Sequence, residues 1–252
     1  MTQITHLNSI YMNYLTPLQK WRIMDLESLR RECDTEPNYF HFARIIRKME
    51  KERIVESFKH RFNGKKYIFF STLGERQIAN EKNPTAISKD SLMHDLKVSE
   101  LAQSFFKLNW VDYISLEHEL INKRNFRQTF KIIPDALMGM KIEGRKINIA
   151  LELELTQKQK QRIREKAKQY IINPNYELIL YLFSKQSVMK TYIEEIEDTV
   201  GKKYLDKFMF ITIPSMTAKE TDLTQLDVIA NDKRFKLKEV FEAYKRGVNP
   251  LQ

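Results

Sequence analysis

Ile132-Ile133-Pro134-Asp135, followed by Ala150-Leu151-Glu152-Leu153-Glu154, is the stretch whose reading decides the fold. Both segments read as strands, and a strand turns successive side chains to opposite faces. Glu152 and Glu154 therefore share a face, roughly 7 Å apart at about 3.3 Å per residue, while Leu151, Leu153 and Leu155 take the other. If the Asp135 strand pairs alongside, three hard oxygen ligands meet where a divalent metal such as Mg²⁺ or Mn²⁺ would sit. Alternating Leu and polar residues also describe any half-exposed strand, so the surroundings must decide.

Working outward, a helix over about 91–108 places Leu92, Leu96, Leu101 and Phe105 near one stripe. Strands follow at about 111–116, 130–138 and 146–155, and the basic segment 157–170 has Ile163, Ala167 and Tyr170 at helical spacing. A nearly all-apolar strand over 176–183 looks central, and a helix over 188–199 and a strand over 208–213 complete the order α-β-β-β-α-β-α-β. Near the end, a helix over about 236–244 has Leu237, Val240 and Phe241 on one side, suited to docking on the sheet or to a homodimer. The carboxylates are followed by a helix carrying Lys158, Lys160, Arg162, Arg164, Lys166 and Lys168, cations able to meet phosphates beside a bound metal.

The stretch 81–90, with Pro84, lacks periodicity and reads as a linker, giving one domain over 1–82, a linker over 83–90 and a second domain over 91–252. Upstream, Thr16-Pro17 starts a helix, a short one covers about 26–33, and Asn38 caps a third whose Phe42, Ile45, Ile46 and Met49 fall at i, i+3, i+4, i+7. Its other face carries His41, Arg44, Arg47, Lys48 and Lys51. Strands over 54–58 and 67–70 turn around Asn63-Gly64, and the hairpin end is basic, with Arg61, Lys65 and Lys66. Thr72 with Glu75 makes a capping-box start for another helix. Three helices and a basic hairpin make a winged helix-turn-helix, whose helix face enters the major groove while the hairpin's cations meet phosphates.

Charge agrees with a polyanionic partner, double-stranded DNA: Lys+Arg 43 against Asp+Glu 33 gives +10. From Arg44 to Lys66 nine Lys/Arg face three Glu, so this stretch alone supplies +6. The single cysteine, Cys33, excludes an internal disulfide or a cysteine-rich zinc site and fits a reducing cytoplasm. No apolar run resembles a signal peptide or is long enough to cross a bilayer, so a cytoplasmic location without membrane partners is expected. The scarcity of glycine, 6 in all, and the lack of a glycine-rich phosphate loop or a His-Glu-x-x-His pair argue against nucleotide cradling and zinc proteolysis.

With Pro134-Asp135 on the second strand and Glu152-x-Glu154 on the third, residues 91–215 resemble the PD-(D/E)xK nuclease fold. That resemblance implies that Asp135 and Glu152 bind Mg²⁺, and it expects a lysine where this chain has Glu154. A subset of restriction enzymes shares that glutamate. Lys166-x-x-x-Tyr170 has the spacing of a Gln-x-x-x-Tyr helix motif in related nucleases, and His94 stands where some relatives carry a histidine; Tyr170 reads equally as a core aromatic and His94 as a helix-surface residue. Across the whole chain, Leu15-Thr16, Leu73-Gly74, His94-Asp95-Leu96, Pro134-Asp135-Ala136 and Leu151-Glu152-Leu153-Glu154 with Thr156 are similar to the replication-relaxation family of plasmid and mobile-element proteins.

Together these readings lead to an α+β or α/β chain: a winged helix followed by a restriction-endonuclease-like mixed sheet flanked by helices. The expected activity is metal-dependent cleavage of plasmid or mobile-element DNA, using Asp135, Glu152, Glu154 and Lys166, with His94, Tyr170 and Lys158 as accessories. The alternative is a non-catalytic DNA-binding accessory working with replication or mobilisation proteins, a reading favoured by the missing lysine.

Overall fold

The computed structural model describes residues 13–78, 87–121, 132–142, 145–213, 222–248 and 250–251. The expected linker positions 83–86, and Phe130 at the start of an expected strand, lie outside them. The chain is mixed α and β and divides into two compact units, 1–99 and 100–252. The division falls inside a helix, beyond the expected linker, for reasons given below.

In the first unit α1 (Thr16–Trp21), β1 (Ile23–Asp25), α2 (Leu26–Arg31) and α3 (Tyr39–Lys51) precede the hairpin of β2 (Val55–Lys59) and β3 (Lys66–Phe70), and α4 (Thr72–Ile78) follows. Leu15, not Thr16, occupies the cap of α1, and Thr16 is already helical. Asn38 caps α3 as its sequence suggests, accepting from the Phe40 and His41 amides at 3.0 and 3.4 Å. The predicted stripe of α3 is buried: Phe42, Ile45, Ile46 and Met49, each contributing about 1.5–3 kcal/mol of apolar burial. The helix ends in a Schellman arrangement, with Arg53 at φ +57° and the Ile54 amide reaching the Met49 carbonyl at 2.9 Å. Ser71 caps α4 ahead of Thr72, its hydroxyl accepting from the Gly74 amide at 2.9 Å.

The sheet of this unit has the order β1-β3-β2, all antiparallel, and its third strand, β1, is too short to be read from sequence. The helix α5 (Leu92–Phe106) begins in this unit. Arg22 pairs with Asp95 at 3.2 Å, the Ser99 hydroxyl donates to the Ile23 carbonyl at 2.8 Å, and Leu96 packs with Ile23, Tyr67 and Phe69. Those three ties carry residues 92–99 into the first unit.

The second unit is built on a seven-stranded mixed sheet, β10-β9-β8-β7-β6-β5-β4. It runs β4 (Tyr113–Leu116), the short α6 (Glu117–Ile121), β5 (Ala136–Ile142), β6 (Arg145–Glu154), α7 (Lys160–Ile171), β7 (Leu178–Phe183), α8 (Gln186–Val200) and β8 (Phe208–Thr212). A hairpin of β9 (Asp227–Ala230) and β10 (Lys233–Lys236) and the helix α9 (Leu237–Lys245) close it. β4, β5 and β6 pair antiparallel, whereas β6, β7 and β8 run parallel because α7 and α8 supply the crossovers. Among the described residues no helix is long and apolar enough to cross a membrane.

One face of this sheet carries Ala150, Ile179, Tyr181, Phe183, Phe208 and Phe210, packed with Ile163, Ala167 and Tyr170 of α7 and Tyr192 and Ile196 of α8. Tyr181, Phe183, Phe208 and Phe210 stack at centroid distances of 6.0–6.4 Å. In the parallel register Glu152 lies opposite Tyr181 and Glu154 opposite Phe183.

Candidate functional site

Glu152 and Glu154 share a face, as their spacing requires. That face is covered by α7 and α8, so both are buried, at 1% and 5% exposure. Asp135 precedes β5, and its Oδ2 accepts from the Leu153 amide at 2.7 Å, which holds it against the backbone between the two glutamates. From α7, one turn apart, come the cation and the phenol: Lys166 Nζ stands 2.6 Å from Glu152 Oε2, and the Tyr170 hydroxyl donates to Glu152 Oε1.

Charge is out of balance in this pocket. Lys166 feels Glu152, Asp135 and Glu154 together and is held charged, its pKa raised despite burial. Glu152 is pushed up to about 7, first by burial, which one cation shared among three carboxylates does not offset, and further by Asp135. Burial also raises Glu154, opposed by Lys166 and Lys158. The Tyr192 hydroxyl of α8 is buried beside Glu154 without well-formed hydrogen-bond geometry, and burial followed by that carboxylate pushes its pKa up.

The donor chemistry fits a hard divalent cation, since surplus buried negative charge on oxygen is what Mg²⁺ neutralises. Among the described residues, though, no three His, Cys, Asp or Glu side chains are grouped as a ready ligand set. Glu152 instead has each oxygen engaged by a protein donor.

The basic helix is less open to phosphates than its sequence suggests. Lys160 and Arg164 both bind Glu195 of α8, at 2.5 and 2.6 Å. Glu195 escaped the sequence reading, although a glutamate between Tyr192 and Ile196 on a buried stripe is itself a sign of a paired charge. His94 belongs to the first unit and stands beside Asp95, its Nδ1 3.9 Å from that carboxylate.

In the first unit Arg44, Arg47, Lys48 and Lys51 form an exposed stripe on α3, with the Arg44 guanidinium 3.2 Å from His41 Nδ1. Arg61 and Lys65 are exposed at the hairpin end, whereas Lys66 is drawn to Glu50 at 2.7 Å. Glu50 also accepts from the Ser57 hydroxyl, which ties the end of α3 to the hairpin. Comparison of the chain with protein-family models, curated proteins and solved structures finds no match.

Proposed function

We propose that the protein binds duplex DNA through a winged helix formed by α1 to α3 and the β2-β3 hairpin, and that its second unit is a PD-(D/E)xK-like domain that hydrolyses phosphodiesters with a divalent metal. The observation that carries the reading is that Lys166 feels Asp135, Glu152 and Glu154 together on a sheet whose order, apart from the short α6 between β4 and β5, is α-β-β-β-α-β. Asp135 and Glu152 would hold the metal with Glu154 as a further ligand or base, and Mg²⁺ bound there would supply an activated water. Lys166 offsets part of the carboxylates' charge and, with a metal bound, would release Glu152 and turn to a phosphate oxygen. The short motifs similar to replication-relaxation proteins extend the proposal to plasmid or mobile-element DNA.

One observation favours a second reading: Glu152 already has both oxygens bonded, so the pocket is closed as a structural network, and the unit would then serve as a non-catalytic platform. Supercoiled plasmid incubated with Mg²⁺ or Mn²⁺ separates the two. The enzyme reading expects nicking that disappears in Asp135→Asn and Glu152→Gln while duplex binding stays; duplex binding with no carboxylate-dependent nicking refutes it. In both readings Arg44, Arg47 and Lys48 changed together to alanine weaken binding at moderate salt, and unchanged binding refutes the winged-helix assignment.

A further inference from the structure

Phe62 stands at the tip of the β2-β3 hairpin, 91% exposed. A single exposed apolar side chain is ordinary on a protein surface; its setting is what distinguishes this one. The turn beneath the ring is braced at every step. The His60 amide donates to the Lys65 carbonyl at 2.8 Å and the Gly64 amide to the His60 carbonyl at 2.9 Å. The Lys65 amide donates to Asn63 Oδ1 at 3.0 Å, and the Asn63 side-chain amide reaches the Tyr67 hydroxyl at 3.1 Å. Gly64 takes φ +66°, which lets the chain reverse within so few residues.

Below the turn, Phe58 stacks on Tyr67 at 5.5 Å and His60 lies edge-on to Tyr67 at 6.0 Å. Phe62 is left to touch the His60 ring, with centroids 5.9 Å apart. Its ring adds little to the core, yet a rigid stem holds it out. Lys59, Arg61 and Lys65 are exposed around it, and the sequence from Lys59 to Lys66 contains no carboxylate.

We propose that Phe62 is a wedge that enters the minor groove of duplex DNA and inserts between base pairs, unstacking one step while the flanking cations hold the adjoining phosphates. This rests on the winged-helix reading above and adds to it a mode of binding: the DNA is deformed as well as held. The physical logic is that of apolar side chains that kink a duplex by partial intercalation, in which a pre-ordered ring avoids the entropy cost of ordering a loose one. Exposed cations on the same hairpin end as the ring suit the phosphates that flank a groove. An anionic membrane surface would take up the same charges, but one aromatic ring gives it a small apolar area and it has no stack for the ring to enter.

The test is a closed-circular plasmid relaxed by a metal-independent topoisomerase in EDTA with the full-length protein, which reads unwinding without any known target sequence and without nicking. The wild type is expected to shift the linking number. Phe62→Ala loses the shift and about tenfold in affinity for a random-sequence duplex, while Phe62→Leu, which keeps an apolar wedge, retains most of both. Because Phe62 carries no charge, Phe62→Ala leaves the slope of affinity against salt unchanged, whereas Lys65→Ala lowers it by about 0.9. If Phe62→Ala binds duplex and shifts the linking number as the wild type does, the wedge is refuted and the winged helix stands. If the wild type binds vesicles of phosphatidylserine and phosphatidylcholine but no duplex, the wedge and the winged-helix reading fall together.

Discussion

Replacing Glu152 with glutamine should stabilise the second unit above neutral pH, the reverse of what removing half of a buried ion pair ordinarily does. The raised pKa gives the sign. A carboxyl lifted from 4.5 to about 7 in the fold is more easily protonated folded than unfolded, so its contribution is fully favourable below about pH 4.5 and is lost as pH rises through 7. At about 1.4 kcal/mol per unit, the loss between those limits is about 3 kcal/mol. Glutamine keeps the shape and an oxygen for Lys166 or Tyr170 but cannot ionise, so the variant escapes this loss and gives back about 1 kcal/mol for the imperfect replacement bond. Unfolding in urea, followed through Trp110 in a Trp21→Phe background, reports the second unit alone, because Trp110 is buried against Phe241 at 4.9 Å. The difference in stability between variant and wild type should grow by about 2–3 kcal/mol from pH 5 to pH 8 and favour the variant at pH 8. A difference that stays flat across that range refutes the charge imbalance, whatever its absolute size.

Two predictions concern the first unit. Arg53→Gly should raise its stability by about 0.5–1 kcal/mol in thermal unfolding read by Trp21, because Arg53 holds φ +57° at a helix end that glycine occupies without strain; a loss would mean that its side chain anchors the turn. Gly74→Ala should cost about 3 kcal/mol in the same assay, since an added Cβ would lie 1.8 Å from the Ile54 carbonyl oxygen, itself bonded by the Ser71 amide; tolerance of alanine would show that α4 can move.

The strand parity of Glu152 and Glu154 and the buried stripe of α3 were open to reading because each depends on the spacing of one element alone. The depth of the carboxylates was not, since alternation says which residues share a face and not which face a helix will cover. Here both faces are covered, so a strand that reads as half-exposed is buried at Glu152. The same limit hid Glu195: its partners Lys160 and Arg164 lie on another helix and looked like free cations. β1 escaped for a different reason, as three residues carry no period and exist as a strand only because β3 is there to pair with.

α5 ties the sequence to its own synthesis. Its first half completes the first unit through Leu96, Asp95 and Ser99, and its second half begins the next one. A fragment cut at residue 90, where the sequence invites the cut, would therefore leave Arg22 without Asp95 and the Ile23 carbonyl without Ser99. One ending at residue 106 would keep both. During translation the same dependence sets an order: the first unit cannot close when its own hairpin is finished, and waits for a helix that lies beyond the apparent boundary.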